Sequence, residues 1–323
     1  MVAVLVSAAI VMPSPSGTST AQANFAPVSV SALDQASRLA TKVANLARGD
    51  HALNRIMTAS GGKPQKLDLR MDVLGYDLDA VLQGQSQVPR VTLASIPNDL
   101  GRIRETDERK AVFFKAVLPL VLQVNEQILV DRQRLWELSA AKKAGVKLDA
   151  VDRLWLAVMA DRYGTRRGDI DILLRRHDVV PPSLALAQAA TESAWGTSRF
   201  VKEGNAIFGQ WTFAEDHDGI VPGARADGKT HRIRAFDSLY DSVASYVTNL
   251  NKHRAYKEFR AARAEMRIRG QNLDGKRLAA TLHRYSERGA AYVDELYAII
   301  DGNDLSLMDR ARLSTSGRRD PLI

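Results

Sequence analysis

Apolar residues recur at three- and four-residue steps over long stretches of the chain, a period that predicts a mostly helical protein. From Thr106, the positions Phe114, Leu118, Val121, Leu122, Ile128, Leu129 and Leu135 keep this spacing, with Asn125 among them. Pro119 interrupts the run, so it either kinks one helix or marks the first turn of a second segment. A further helix is expected over Ala150 to Tyr163, with Val151, Leu154, Trp155, Val158 and Met159 on one face, and a short one over Gly168 to Arg176. These stripes read as core. Pro181, Pro182 and Ser183 make a start signal for a helix from Leu184 to Ala194. Small and apolar on nearly every side, that helix must be buried, and Gly196 is placed to end it. Later helices are predicted over Asp237 to Asn251, with Val243, Tyr246, Val247 and Leu250 on one side, and over Tyr256 to Ile268, Lys276 to Tyr285 and Ala290 to Ile300.

The helical period fails in three places. Gly219–Val221 and His231–Phe236 are short β-prone stretches around a Gly223 to Gly228 turn region, which predicts a small antiparallel hairpin lobe. Between Asn24 and about Arg104 the periodicity is weak and broken by Gly- and Pro-containing turns; one helix is expected over Ser31 to Ala47, the rest being linker or partly ordered. After Leu307 the chain is polar and Arg-rich, which predicts a frayed tail. At the other end, Val2 to Met12 is an apolar run of signal-peptide length, and Ala21-Gln22-Ala23 fits a cleavage site, although the basic residues that usually open a signal are missing. The expected organisation is a signal segment over 1–23, which can tether the protein to a membrane if retained, a poorly defined region over 24–105, a helical region over 106–180, a main domain over 181–305 and a polar tail over 306–323.

Composition changes this picture little. In 323 residues, 45% hydrophobic and 25% charged is ordinary for a globular protein. The net charge of +8 favours anionic partners. Without Cys there are no disulfides or thiolate metal sites. No phosphate loop, dinucleotide fingerprint or H-E-x-x-H motif occurs. His217 and His231 bracket the lobe but read as surface or hairpin residues, so neither metal nor cofactor is expected. Arg260, Arg263, Arg267 and Arg269 read as a solvated helix face rather than a nucleic-acid surface. In an exported protein, the excess charge suits an anionic wall polymer.

The chemistry concentrates between Leu184 and Phe213. Glu192 falls in the last turn of the buried helix, where unpaired carbonyls and burial beside Trp195 both disfavour a carboxylate. An acid held protonated near neutral pH is what protonation of a glycosidic oxygen requires. The bland alternative is a Glu turned to solvent. The following loop supplies Asn205, Phe208, Gly209, Gln210 and Trp211: aromatics that can stack on sugars or anchor the loop, and amides that can bond acetamido groups.

ATESAWGTSRF followed by GNAIFGQW, then FDSLYDSVASYVTNLNKHRAY and YSERGAAYV, resembles in order the segments of bacterial Bax-like proteins with a mannosyl-glycoprotein endo-β-N-acetylglucosaminidase-like domain, glycoside hydrolase family 73. The resemblance covers roughly residues 106–303. It implies a mainly α (α+β), lysozyme-like domain with a small β-hairpin lobe, acting on β-1,4 bonds after N-acetylglucosamine in peptidoglycan glycan strands. Glu192 matches the family's general acid and Tyr285 its aromatic hydroxyl near the reacting sugar. Trp195, Asn205, Phe208, Gly209, Gln210 and Trp211 become the expected sugar-binding residues. For a second carboxylate, Asp227 stands where a Bax-like segment carries Glu, with Asp216, Asp218 and Glu287 as competitors. The absence of a β-lobe Glu keeps open a catalytically silent wall-binding module. A lytic transglycosylase is the other alternative, opposed by the NAIFGQW loop.

Overall fold

A computed structural model describes residues 75–91, 93–97, 100–213, 218–223 and 230–315. The expected signal segment, the helix over Ser31 to Ala47, Asp216, His217 and Asp227 lie outside the described residues. After a short helix α1 (Leu78–Leu82), helix α2 (Thr106–Lys143) runs unbroken through Pro119, one helix where two segments were an alternative. Pro119 sits in the most deeply buried stretch of α2, between Leu118 and Leu120, where packing on all sides offsets the lost backbone bond. That apolar stretch is long enough to cross a bilayer, yet it is mostly buried in the protein's own core.

The far end of α2 builds a second, smaller core with α3 (Ala150–Tyr163) and α4 (Ile170–Arg176). The buried face of α3 is Leu156, Met159, Ala160 and Tyr163, rotated from the expected stripe; Leu154 is exposed, and Val151, Trp155 and Val158 are half-buried. Trp155 packs at the edge of this second core, with the Arg134 guanidinium 4.5 Å from its ring.

Helix α5 (Pro182–Ser193) is the centre of the main core, with only Thr191 and Glu192 less than fully buried. Pro181 precedes it and offers no capping side chain. Asp309 caps it instead: Oδ1 accepts from Ser183 N at 2.8 Å, and Oδ2 accepts from Ser183 Oγ at 2.8 Å and Gly275 N at 3.1 Å. Despite these three donors, burial pushes the Asp309 carboxyl up to about 6. A Cβ at Gly275 would collide with Ser183 Oγ and stand 2.9 Å from Leu184 N, so the junction has no room for a side chain. Gly275→Ala is expected to destabilise the protein by about 1–3 kcal/mol through overpacking; urea unfolding checks this, and an unchanged midpoint would mean the junction yields freely.

After α6 (Arg199–Gly204) come strands β1 (Trp211–Thr212), β2 (Gly219–Ile220) and β3 (Arg232–Arg234), in the antiparallel order β1-β3-β2. The predicted hairpin is present as β2 and β3, with Ile220 opposite Ile233. The loop reading of Trp211 is corrected: it pairs with Ile233 as a third strand. Helices α7 (Leu239–Lys252), α8 (Lys257–Ile268), α9 (Gly275–Ala279) and α10 (Ala290–Gly302) complete the fold, α9 being shorter than the helix expected through Tyr285. Val243, Tyr246, Val247 and Leu250 form the buried face of α7, as the period predicted.

Two expectations fail because distant segments supply the partners. The Arg stripe on α8 is not a solvated face: Arg260 and Arg263 are buried, Arg263 completely, because Arg260 donates to the Leu250 and His253 carbonyls at the end of α7 and Arg263 to the Arg176, Asp178 and Val179 carbonyls at the end of α4. The tail is packed as far as Leu313, with Met308, Ala311 and Leu313 buried. Leu313 bridges Val88 in parallel, and Tyr76, Val81, Leu93, Ile96, Leu100 and Ile103 join the same core, so among the described residues from Gly75 the weakly periodic region contributes to the core, in keeping with a partly ordered region. The architecture is mainly α and lysozyme-like, with a small β lobe.

Candidate active site

Glu192 is presented by an unusual helix end. Ala194, Trp195 and Gly196 all have positive φ, at 50°, 58° and 75°. The left-handed conformation costs about 1–3 kcal/mol at each non-glycine position and recurs at functional sites. Gly196 cannot be replaced cheaply: a Cβ there would meet Ile96, Leu100 and Phe113 side chains at 3.0–3.1 Å. Ser193 Oγ accepts from Gly196 N at 2.8 Å and donates to the Ala189 carbonyl, tying the turn back onto α5. Gly196→Val is expected to cost about 2–4 kcal/mol, combining backbone strain with overpacking. Thermal unfolding reads it, and an unchanged melting temperature would contradict the account.

The Glu192 carboxyl is half-buried. Its Oε1 accepts from Tyr292 Oη at 2.9 Å. Its Oε2 faces the loop after α6, where a Cβ at Gly209 would lie 4.0 Å away. Burial raises the pKa of Glu192 and outweighs the opposing Tyr292 hydrogen bond and Arg288 charge; Glu295 adds to the rise. The phenols of Tyr246, Tyr256, Tyr285 and Tyr292 are likewise held above their ordinary range, by burial and by the Glu192 charge.

The structure brings Tyr285 into this cluster, stacked on Tyr292 with ring centres 5.5 Å apart. Gly209 also belongs to it. The other expected sugar contacts divide differently. Phe208 is buried and stacked at 3.8 Å on Tyr246, so it supports the wall rather than offering a free face. Asn205 adopts a left-handed conformation at the end of α6 and donates its amide to the Phe236 and Asp237 carbonyls. Trp195 stands edge-on to Phe113 and Phe114, packing the turn against α2. Gln210 accepts from Arg234 N through its backbone carbonyl, and its buried side-chain oxygen has no partner among the described residues. Trp211 is 60% exposed and stacked on His231 at 4.2 Å, a platform of the kind a sugar can use. Among the second-carboxylate candidates, Asp227 and Asp216 lie outside the described residues, while Asp218 and Glu287 are exposed.

Sequence reasoning missed Tyr292, Gln188, Tyr246 and the Arg288–Glu295 ion pair beside them. One signal was available. Gln188 is a polar residue in an otherwise apolar buried helix, four residues before Glu192 and so on the same face.

A lysozyme-like helical domain with a protected carboxyl at the end of its central helix, beside a small β lobe, defines a glycosidase-type architecture. The chain matches the glucosaminidase family model, described as mannosyl-glycoprotein endo-beta-N-acetylglucosaminidase, over residues 169–305. It is 32% identical to Protein bax of Escherichia coli (strain K12) over 218 residues, covering 65% of this chain and 75% of that one. No solved structure matches it. The chain belongs to the Bax-like family, with a glucosaminidase-type domain. The matched region begins at α4, so α4 and Arg263 fall within it, while α2 and α3 precede it.

Proposed function

We propose that this protein is an exported peptidoglycan hydrolase that cleaves β-1,4 glycosidic bonds after N-acetylglucosamine, with Glu192 as general acid. The observation that carries the reading is the Glu192 environment: a half-buried carboxyl with raised pKa, one oxygen held by Tyr292 and the other facing the Gly209 loop. Such a group keeps a proton available for a leaving glycosidic oxygen. Trp211 and Tyr285 are the aromatic sugar contacts in this reading, and Asp227 is retained as a candidate water-activating base. The apolar run from Val2 to Met12 and the net charge of +8 support action on an anionic polymer of the cell envelope.

A second reading is a lytic transglycosylase. Among the described residues, the other carboxylate whose charge reaches Glu192 belongs to Glu295, and that group is ion-paired with Arg288. An enzyme working with a single acid fits that observation. The two readings part at the product: reducing N-acetylglucosamine ends from a glucosaminidase, 1,6-anhydro-muramic ends from a transglycosylase. A protein that binds sacculi but releases nothing would be a wall-binding module.

The pH dependence follows from the raised pKa of Glu192. Activity is expected to fall as pH rises through that value, above the ordinary carboxylate range, because the donor loses its proton. The same shift affects stability. The protonated Glu192 contribution is full below the ordinary value of 4.5 and is lost as pH rises through the folded-state pKa. A kcat/KM profile on sacculi tests the first statement, and activity that is flat or rising through that range would contradict it.

A further inference from the structure

Resting on the reading of Glu192 as the acid, we propose that Tyr246, Gln188 and Tyr292 form a directional hydrogen-bond relay that places the Glu192 proton on Oε2, the oxygen facing the Gly209 loop. Tyr246 Oη donates to Gln188 Oε1 at 2.7 Å. Gln188 Nε2 donates to Tyr292 Oη at 2.8 Å. Tyr292 Oη then donates to Glu192 Oε1 at 2.9 Å. The direction follows from donor arithmetic. A phenol has one proton, an amide nitrogen only donates and an amide oxygen only accepts.

Reversing the chain would require the Gln188 amide to turn over and would leave the Tyr246 hydroxyl proton without that acceptor. Tyr246, Gln188 and Tyr292 are all fully buried, and an unsatisfied buried donor is costly. Tyr246 is also held in place by its stack on Phe208. The ionised form of Glu192 reinforces the direction, since a carboxylate makes the stronger bond with Tyr292.

The consequence for the acid is local. A carboxylic acid accepts best through its carbonyl oxygen and donates from the other. With Tyr292 donating to Oε1, the hydroxyl belongs on Oε2. Tyr246 and Gln188 are therefore positioning residues: they act on the acid through Tyr292.

The other groups facing Glu192 lie outside this chain of bonds. Arg288 and Glu295 pair with each other, with the Arg288 guanidinium 5.4 Å from the Tyr292 ring centre. Tyr285 stacks on Tyr292, and Tyr256 packs against Tyr285.

The test reads Glu192 directly in the full-length protein. Carbon-13 NMR of the glutamate side-chain carboxyls gives its titration, with the signal assigned by its loss in Glu192→Gln. Tyr292→Phe should shift the Glu192 midpoint upward, because a bond favouring the carboxylate is lost. Tyr246→Phe should shift it upward as well, although Tyr246 does not bond to Glu192, because the freed amide can turn and accept from Tyr292. In the Tyr292→Phe background, Tyr246→Phe should add nothing. An unshifted midpoint in Tyr246→Phe beside a shifted one in Tyr292→Phe overturns the relay, as do additive shifts in the double variant. If Tyr246→Phe does not fold, Gln188→Met replaces it: the Tyr292 bond to Glu192 stays but loses the amide donor that polarises it, so the midpoint should shift upward by less than in Tyr292→Phe, and no shift or a downward one overturns the relay. The titration does not depend on turnover. Failure of the hydrolase reading would appear as wild-type protein inactive on sacculi, whereas failure of the relay would appear in the NMR shifts.

Discussion

Glu192→Gln is expected to lower the hydrolysis of purified sacculi by about a thousandfold, within the range that general acid catalysis supplies. Glutamine keeps the size of the side chain and can still accept from Tyr292, so the wall of the cleft is preserved. It cannot deliver a proton to a leaving oxygen. Stability should hold or rise slightly near neutral pH, because a carboxyl disfavoured by burial has been removed. A variant that loses activity and unfolds would not carry the argument; one that loses activity with an unchanged melting curve would.

Asp178→Ala is expected to be the most damaging substitution for stability, costing about 3–5 kcal/mol, as for other buried ion pairs that lose one partner. Asp178 is 2% exposed and faces Arg132 at 3.2 Å, Arg267 at 3.0 Å and Arg263 at 3.9 Å. These guanidiniums hold its carboxyl below the usual carboxylate range against the opposing effect of burial. Arg263 is itself pushed down to about 10 by burial, although Asp178 favours its charge. It spans the Asp178, Val179 and Arg176 carbonyls and Asn251 Oδ1. The cluster joins α2, α7 and α8 to the end of α4. Without Asp178, buried cations remain with no compensating charge.

The pH sign is that of a depressed acid: the Asp178 contribution is present above its unfolded pKa and is lost as pH falls through its folded value. Urea unfolding at neutral pH measures the loss. A change below about 1 kcal/mol, the scale of an exposed ion pair, would show that the arginines find other partners. Activity per folded molecule should be retained, since Asp178 belongs to a cluster separate from the groups around Glu192.

What the sequence revealed divides by distance along the chain. Local signals held. The span of α3 from Ala150 to Tyr163 and the buried face of α7 follow from spacing alone. The prediction that Glu192 is disfavoured as a carboxylate needed only its place at a helix end beside burial, and its pKa is raised. Partners supplied from afar were not legible. Tyr292 lies one hundred residues beyond Glu192. Arg263 looked like a solvated cation because its acceptors, the carbonyls of Arg175, Arg176, Asp178 and Val179, come from another helix end. Phe208 looked like a sugar platform because its stacking partner Tyr246 sits on α7. Trp211 looked like a loop residue because two-residue strands carry too little alternation to register. Met308, Ala311 and Leu313 are apolar anchors in a stretch whose charge suggested fraying.

The central claim is that Glu192 supplies the proton for cleavage after N-acetylglucosamine. Mass spectrometry of muropeptides released from purified sacculi by the wild-type protein and by Glu192→Gln, run in parallel, tests it most directly. The account predicts fragments with reducing-end N-acetylglucosamine from the wild-type protein and almost none from the variant. Equal release by both proteins, or 1,6-anhydro-muramic ends from the wild-type protein, would contradict it.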